Sequence, residues 1–201
     1  GLLYNCTCSR KQLPRGPYPG HCRMRLQKEQ ALHRGVAVRI DTQDLSRNFD
    51  DAIQGWVQPD HPGDFIVKRR DNIIAYQLAC AIDESIDGIT HVIRGIDLLP
   101  STPMQRFISQ RLGLACPAYG HFPVLVDSAG AKLSKQTFAA PVDPALPGST
   151  YARIAELLLL NDTPSRTDST ASWLRYFQDL GDIRKRLPRA LEVSAEMRKT
   201  R

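Results

Sequence analysis

The sequence has no apolar run of membrane-spanning length. Its longest, Leu157-Leu158-Leu159-Leu160, is far short of the roughly 18 to 20 residues a spanning helix needs. It has no internal repeat. Its 13 glycines and 14 prolines are scattered, which excludes collagen-like and low-complexity chains. No secretory pattern of basic, apolar and small-residue regions follows Gly1. The five cysteines are an odd number, and without a secretory signal a disulfide framework is not expected.

The 201 residues, 42% of them hydrophobic and 24% charged, suffice for one domain with a core, or one domain and a small satellite. The opening Gly1-Leu2-Leu3-Tyr4 reads as the middle of an element, so an N-terminally truncated chain is expected. The net charge of +6 is unevenly placed. Residues 1–34 carry seven Lys/Arg against one acid, residues 35–182 thirteen against eighteen, and residues 183–201 seven against two. An acidic body with two basic ends fits a nucleic-acid or anionic-surface footprint. Two solvated surface segments would have the same composition.

Cys6, Cys8 and Cys22 form one group. Cys6-Thr7-Cys8 puts two sulfurs on a tight turn, and Pro14, Gly16, Pro17, Pro19 and Gly20 fill the loop to Cys22. Such a loop has little core of its own and gains from a metal staple. Zinc takes four tetrahedral ligands, usually Cys or His. On spacing alone the fourth is His21, His33 or Tyr18, and three ordinary reduced thiols are the plain alternative. Arg10, Lys11 and Arg23 favour thiolates. Cys80, within Leu78-Ala79-Cys80-Ala81-Ile82, is expected in the core, and Cys116 before a proline is expected to be unreactive.

Alternation predicts a strand over Val36–Ile40 and a second strand region from Phe49 to Val57. Phe65–Val67 follows as a short strand, Ile73–Ile82 as a helix, and Ile89–Arg94 as a strand. Thr102 predicts a helix start, with Pro103 at the first position and Gln105 completing a capping box. Met104, Phe107, Ile108 and Leu112 share one face of that helix, and Gly113 ends it. Phe122–Val126 is the next strand. This alternation predicts a parallel α/β sheet over residues 65–140, with ligands beyond the strand carboxyl ends, where Arg94-Gly95 and Lys132–Gln136 fall. A Pro-rich link, 141–150, precedes helices over Tyr151–Leu160 and Thr170–Leu180. The basic tail reads as a third helix, broken at Pro188.

Lys132-Leu133-Ser134-Lys135-Gln136 brackets a serine with two lysines just after a strand. Two ammonium groups and a hydroxyl on a loop can grip a polyphosphate and neutralise departing pyrophosphate. Lysine pairs on surface loops are nevertheless common. The loop resembles the lysine-methionine-serine-lysine-serine signature of class I aminoacyl-tRNA synthetases. Asp64-Phe65-Ile66-Val67-Lys68-Arg69-Arg70-Asp71, Ala75-Tyr76-Gln77-Leu78-Ala79, Val92-Ile93-Arg94-Gly95-Ile96-Asp97-Leu98-Leu99 and Tyr119-Gly120-His121-Phe122-Pro123 resemble the glutamyl-tRNA synthetase lineage in order and spacing. The resemblance covers roughly residues 4–140. Three features are similar to its glutamyl-queuosine tRNA(Asp) branch. Cys6-x-Cys8 with Tyr18-x-x-x-Cys22 matches a three-cysteine, one-tyrosine zinc site. Gln136 ends the lysine loop where other glutamyl enzymes often carry Arg or Ser. Only 66 residues follow Lys135, so no large anticodon-binding domain is expected.

The resemblance implies a Rossmann-like class I fold in three parts: a zinc-binding insertion region (1–63), the later half of the catalytic domain (64–145), and a helical, tRNA-side region (146–201). It implies ATP-dependent activation of glutamate, with Mg²⁺, and transfer of the glutamyl group to the queuosine base of tRNA(Asp). Tyr76 and Arg94 match the glutamate-binding residues. An arginine fork can hold a carboxylate by two hydrogen bonds. The plain alternatives are an ion pair from Arg94 to Asp97 or Asp83, and a half-buried core position for Tyr76. Lys135, with Lys132 second, matches the ATP-contacting catalytic lysines. Cys6, Cys8, Tyr18 and Cys22 match the ligands of one structural zinc, which would fold the Pro/Gly loop. A cytoplasmic monomer with no membrane partner is expected. The His-x-Gly-His-like first signature of class I synthetases is absent, so this chain by itself is expected to be inactive. The competing expectations are a truncated glutamyl-tRNA synthetase and a non-catalytic, zinc-stapled RNA-binding module.

Overall fold

The computed structural model describes residues 1–13, 16–25, 35–126, 132–133, 142–158, 160–180 and 191–192. Two compact units share the chain, Gly1–His121 and Phe122–Arg201. The first runs β1 (Leu3–Cys6), a 3-10 turn (Arg10–Gln12), α1 (His21–Arg25), β2 (Ala37–Ile40), β3 (Phe49–Asp51), β4 (Gly55–Val57) and β5 (Ile66–Lys68). It continues through α2 (Tyr76–Ile86), β6 (His91–Gly95), a 3-10 turn (Ile96–Ser101) and α3 (Thr102–Leu112) to β7 (Ala118–Phe122). The second holds β8 (Leu125–Val126), α4 (Pro147–Leu157), α5 (Thr170–Asp179) and β9 (Leu191–Glu192).

A three-stranded sheet of order β1-β2-β5 forms the floor of the first unit, antiparallel throughout. The expected strand at Phe65–Val67 therefore joins this antiparallel sheet rather than the pair β6-β7. Its partner strands come from the Cys-bearing segment, which the strand–helix alternation after residue 65 does not register. All four residues of β2 are buried, although their sequence alternates. Arg39 can be buried there because Nη1 donates to the Asp64 carbonyl at 2.5 Å and its guanidinium lies 4.0 Å over the Tyr18 ring.

Val38, Ile40, Leu45, Phe65, Val67, Ala81, Phe107 and Ile108 make the main core, each large side chain contributing about 1.5–3 kcal/mol. Phe107 and Ile108 of α3 point inward as their spacing predicts, while Leu112 is exposed. The helix ends at Gly113, whose φ of 65° is left-handed. The strand region Phe49–Val57 is a hairpin, β3 against β4, with Gly55 at φ 73° opening β4 just after the turn.

In the second unit, α4 and α5 pack around Trp173, which is 0% exposed. Ser169 caps α5 by accepting the Ser172 N–H at 3.2 Å. The Trp173 indole N–H donates to the Ser165 carbonyl at 3.1 Å. Leu125–Val126 pairs in parallel with Leu191–Glu192. Those two residues are a strand where a helical tail is expected; the rest of that tail lies outside the described residues. Among the described residues no helix is long and apolar enough to cross a membrane.

Candidate functional site

The cysteines 6, 8 and 22 converge from β1, the loop after it, and α1. Their sulfurs lie within 4.8 Å of one another, with Cys8 Sγ and Cys22 Sγ 3.4 Å apart. The phenol oxygen of Tyr18 lies 3.4 Å from Cys8 Sγ and 3.8 Å from Cys6 Sγ, and accepts the Cys22 N–H at 2.9 Å. Sulfurs on a tetrahedral ion at bonds of about 2.3 Å stand about 3.8 Å apart. The cluster therefore has the size of a metal site, with one oxygen donor beside three sulfurs. Among the described residues Tyr18 brings its oxygen to the cluster while His21 is exposed; His33 lies outside the described residues. Burial pushes the Cys22 thiol up, but hydrogen bonds from Tyr18 and the Thr7 N–H prevail and bring it down to about 7. Burial and its hydrogen bonds to Cys22 and Cys8 hold the Tyr18 phenol above its ordinary value.

Asp64 ties this loop to the sheet. Its carboxylate accepts from Tyr4 Oη at 2.6 Å and from Thr42 N and Oγ1 at 3.0 and 2.9 Å. Its N–H donates to the Tyr18 carbonyl at 3.0 Å. Arg23 pairs with Asp41 and reaches Asp64 at 3.6 Å.

Arg94, on β6, sits in a cradle of uncharged acceptors. Nε donates to His121 Nε2 at 3.1 Å; Nη2 donates to Thr102 Oγ1 at 2.8 Å, Gln105 Oε1 at 2.7 Å and the Leu98 carbonyl at 3.5 Å. All four of these partners are neutral, whereas the alternative expectation was an ion pair to Asp97 or Asp83. Thr102 and Gln105, which read as a capping box, face Arg94 instead. Ser101 is the N-cap residue of α3, and no side chain caps that end. Behind Arg94, His121 is fully buried and its Nδ1 meets Asp51 Oδ2 at 2.5 Å. Burial drives His121 below its ordinary value, outweighing the opposing pull of Asp51. Burial alone would raise Asp51, but N–H groups of Gln54, His121 and Ile53 and the His121 ring bring it down.

Tyr76 opens α2 and is 49% exposed. Burial and a hydrogen bond to Cys80 raise its phenol, and the charge of Arg94 acts in the opposite sense. The two residues are thus electrostatic neighbours. Cys80 is half-buried rather than core. Lys132 is exposed and bridges to Val126, and Leu133 N donates to the Leu125 carbonyl at 2.8 Å. Lys135, Ser134 and Gln136 lie outside the described residues. Sequence reasoning missed Asp51 and His121. The Tyr119-Gly120-His121 motif was the available signal, and nothing in it tied the histidine to Arg94.

Residues 15–155 match the family model of class I tRNA synthetases (E and Q), catalytic domain. The chain belongs to that family. It is 42% identical over 161 residues to the Glutamyl-Q tRNA(Asp) synthetase of Methylococcus capsulatus, covering 78% of this chain and 53% of that protein. It is 43% identical over 158 residues to the enzyme of that name from Thiobacillus denitrificans, covering 73% and 50%. With the Pseudomonas aeruginosa protein the identity is 43% over 149 residues, covering 71% and 49%. The chain thus spans about half the length of the curated relatives it matches. A glutamate tRNA ligase from Elizabethkingia meningosepticum, solved with its amino acid, superposes at TM-score 0.59 with 24% identity over 93% of this chain and 40% of that one, a likeness of fold.

Proposed function

We propose that this chain serves the ATP-dependent activation of glutamate and its transfer to the queuosine base of tRNA(Asp). The observation that carries the proposal is the Arg94 cradle. A guanidinium held by four uncharged acceptors, with a half-exposed tyrosine phenol in electrostatic reach, suits a carboxylate ligand. Arg94, through the Nη1 that its cradle does not use, binds a glutamate carboxylate and the Tyr76 phenol orients the substrate. In activation, a glutamate carboxylate oxygen bonds to the α-phosphorus of ATP and pyrophosphate leaves. Lys135, with Lys132 second, neutralises the phosphate charge, Mg²⁺ accompanying ATP. Cys6, Cys8, Tyr18 and Cys22 hold one structural zinc, whose part is to fold the Pro/Gly loop.

The test is glutamate-dependent ATP–pyrophosphate exchange without tRNA. The sequence has no His-x-Gly-His-like signature, so the assay is run on the chain alone and on the chain joined behind the N-terminal part of the Methylococcus capsulatus relative. Exchange with glutamate by the joined protein supports the proposal; exchange with a different amino acid refutes it. A second reading is a zinc-stapled RNA-binding module without catalysis. It is favoured by a cleft of about 390 Å³ beside the cysteines, lined by Arg39, Arg69 and Arg70. That module would bind tRNA with steep salt dependence and would not need Lys135.

A further inference from the structure

Asp51, His121 and Arg94 form a continuous chain of hydrogen bonds from the β3–β4 hairpin through β7 to β6. Asp51 Oδ1 accepts the N–H groups of Ile53 at 3.0 Å, Gln54 at 2.8 Å and His121 at 3.1 Å. The carboxylate is therefore fixed by the hairpin turn and by β7 together. Its other oxygen, Oδ2, is 2.5 Å from His121 Nδ1. A carboxylate only accepts, so Nδ1 carries the hydrogen. With the ring neutral in its fully buried place, Nε2 keeps a lone pair. That lone pair faces two donors, Arg94 Nε–H and the Thr102 hydroxyl, both at 3.1 Å.

Every remaining contact agrees with this assignment. Thr102 Oγ1 and Gln105 Oε1 accept from Arg94 Nη2, which also fixes the Gln105 amide orientation. The His121 ring lies nearly parallel to the Tyr119 ring, 11° apart at 6.3 Å. Tyr119 is in turn held by its hydroxyl donating to Glu84 at 2.9 Å. The opposite tautomer would set Nε2–H against the Arg94 N–H, two donors face to face.

We propose that Asp51 and His121 are positioning residues for amino-acid binding: Asp51 fixes the tautomer of His121, that tautomer holds Arg94 by its Nε, and Nη1, the nitrogen these bonds do not use, is left to donate to a substrate carboxylate. This rests on the reading above that Arg94 receives glutamate. The atoms of this device that accept from the guanidinium are neutral. The carboxylate of Asp51 stands one imidazole away, so it orients Arg94 without pairing with it directly.

Asp51→Asn is the informative variant. It keeps the size of the side chain and the Oδ1 acceptor for three N–H groups. It turns an NH₂ toward Nδ1, which then accepts, and the hydrogen moves to Nε2. The experiment is long-range ¹H–¹⁵N correlation of His121 in the whole chain, followed by titration with L-glutamate. In the unaltered chain the Nδ1–H form is expected at neutral pH; an Nε2–H form or an imidazolium overturns the proposal. D51N is expected to switch the tautomer and weaken glutamate binding by about tenfold, the worth of about 1.4 kcal/mol. Arg94→Gln serves as the control on the ligand reading. If D51N switches the tautomer and leaves affinity unchanged while R94Q weakens it, the positioning role is overturned and the glutamate reading survives. If R94Q leaves glutamate affinity unchanged, the glutamate reading is overturned and the positioning role with it. Should D51N fail to fold, the tautomer of the unaltered chain still decides, as does Thr102→Val, expected to loosen glutamate binding with Nδ1–H retained.

Discussion

The phenol oxygen of Tyr18 stands 3.4 Å from the sulfur of Cys8, with both residues drawn onto one buried cluster by Asp64 and the β1–β2 strands. A phenol in that position suits the fourth place around a metal held by the three sulfurs. One zinc per chain is expected by elemental analysis. Its removal by chelation should lower the melting temperature of the first unit, because binding and loop order are linked. Cys22→Ala should abolish stoichiometric metal. Tyr18→Phe should retain three sulfurs and weaken zinc by about tenfold or more, read by competition with a chromogenic chelator.

Gly63 lies against the backbone of Tyr18. A Cβ at Gly63 would meet Tyr18 N at 2.5 Å and its carbonyl oxygen at 2.7 Å, and the φ of +66° is left-handed. Backbone atoms cannot swing away as a side-chain tip can. Gly63→Ala should cost about 1–3 kcal/mol and displace Tyr18, so that thermal stability and metal content fall together.

His121 gives stability a pH dependence of predictable sign. The titratable and charged groups facing it are Asp51, Arg94 and Tyr119, with the charge of Asp97 felt as well. Burial holds the ring below its ordinary value of about 6.5. Below that pH the unfolded chain takes up a proton that the native ring refuses, so stability falls as pH falls. The contribution is whole above about pH 6.5 and is lost downward through the lowered native value. Melting curves between pH 7.5 and 5 should show this slope, and His121→Asn should flatten it. Asp51, also lowered, adds loss of the same sign below about pH 4.

Trp173 is the centre of the second unit, with Tyr151, Tyr176 and Phe177 ring centroids 5.9 to 6.1 Å from its own. Trp173→Ala should cost about 3–5 kcal/mol and melt the α4–α5 pair. Loss of helical circular dichroism and of protected amides in 147–179, with those of α2 and α3 retained, is the expected result.

Much of the cluster was legible because its information is local. Two cysteines on one turn, a Pro/Gly loop and a third cysteine limit where the sulfurs can go. The end of α3 was equally plain, since Gly113 supplies the left-handed residue a helix stop needs. The Arg94 cradle was not legible. Thr102 and Gln105 have the spacing of a capping box, and only the approach of β6 shows that their oxygens are taken by a guanidinium instead. Asp51 and His121 are seventy residues apart, a pairing that periodicity does not carry. The strand Ile66–Lys68 went to an antiparallel sheet because its partner, β2, precedes the alternation that predicted a parallel one.

The most direct test of the account follows labelled L-glutamate in the chain joined behind the Methylococcus capsulatus N-terminal part. It offers tRNA(Asp) with and without queuosine, and tRNA(Glu). The account predicts label on tRNA(Asp) only when queuosine is present, in a linkage away from the 3′ end, and loss of labelling with Arg94→Gln or Lys135→Ala. Label at the 3′ end of tRNA(Glu), or labelling indifferent to queuosine, would contradict it.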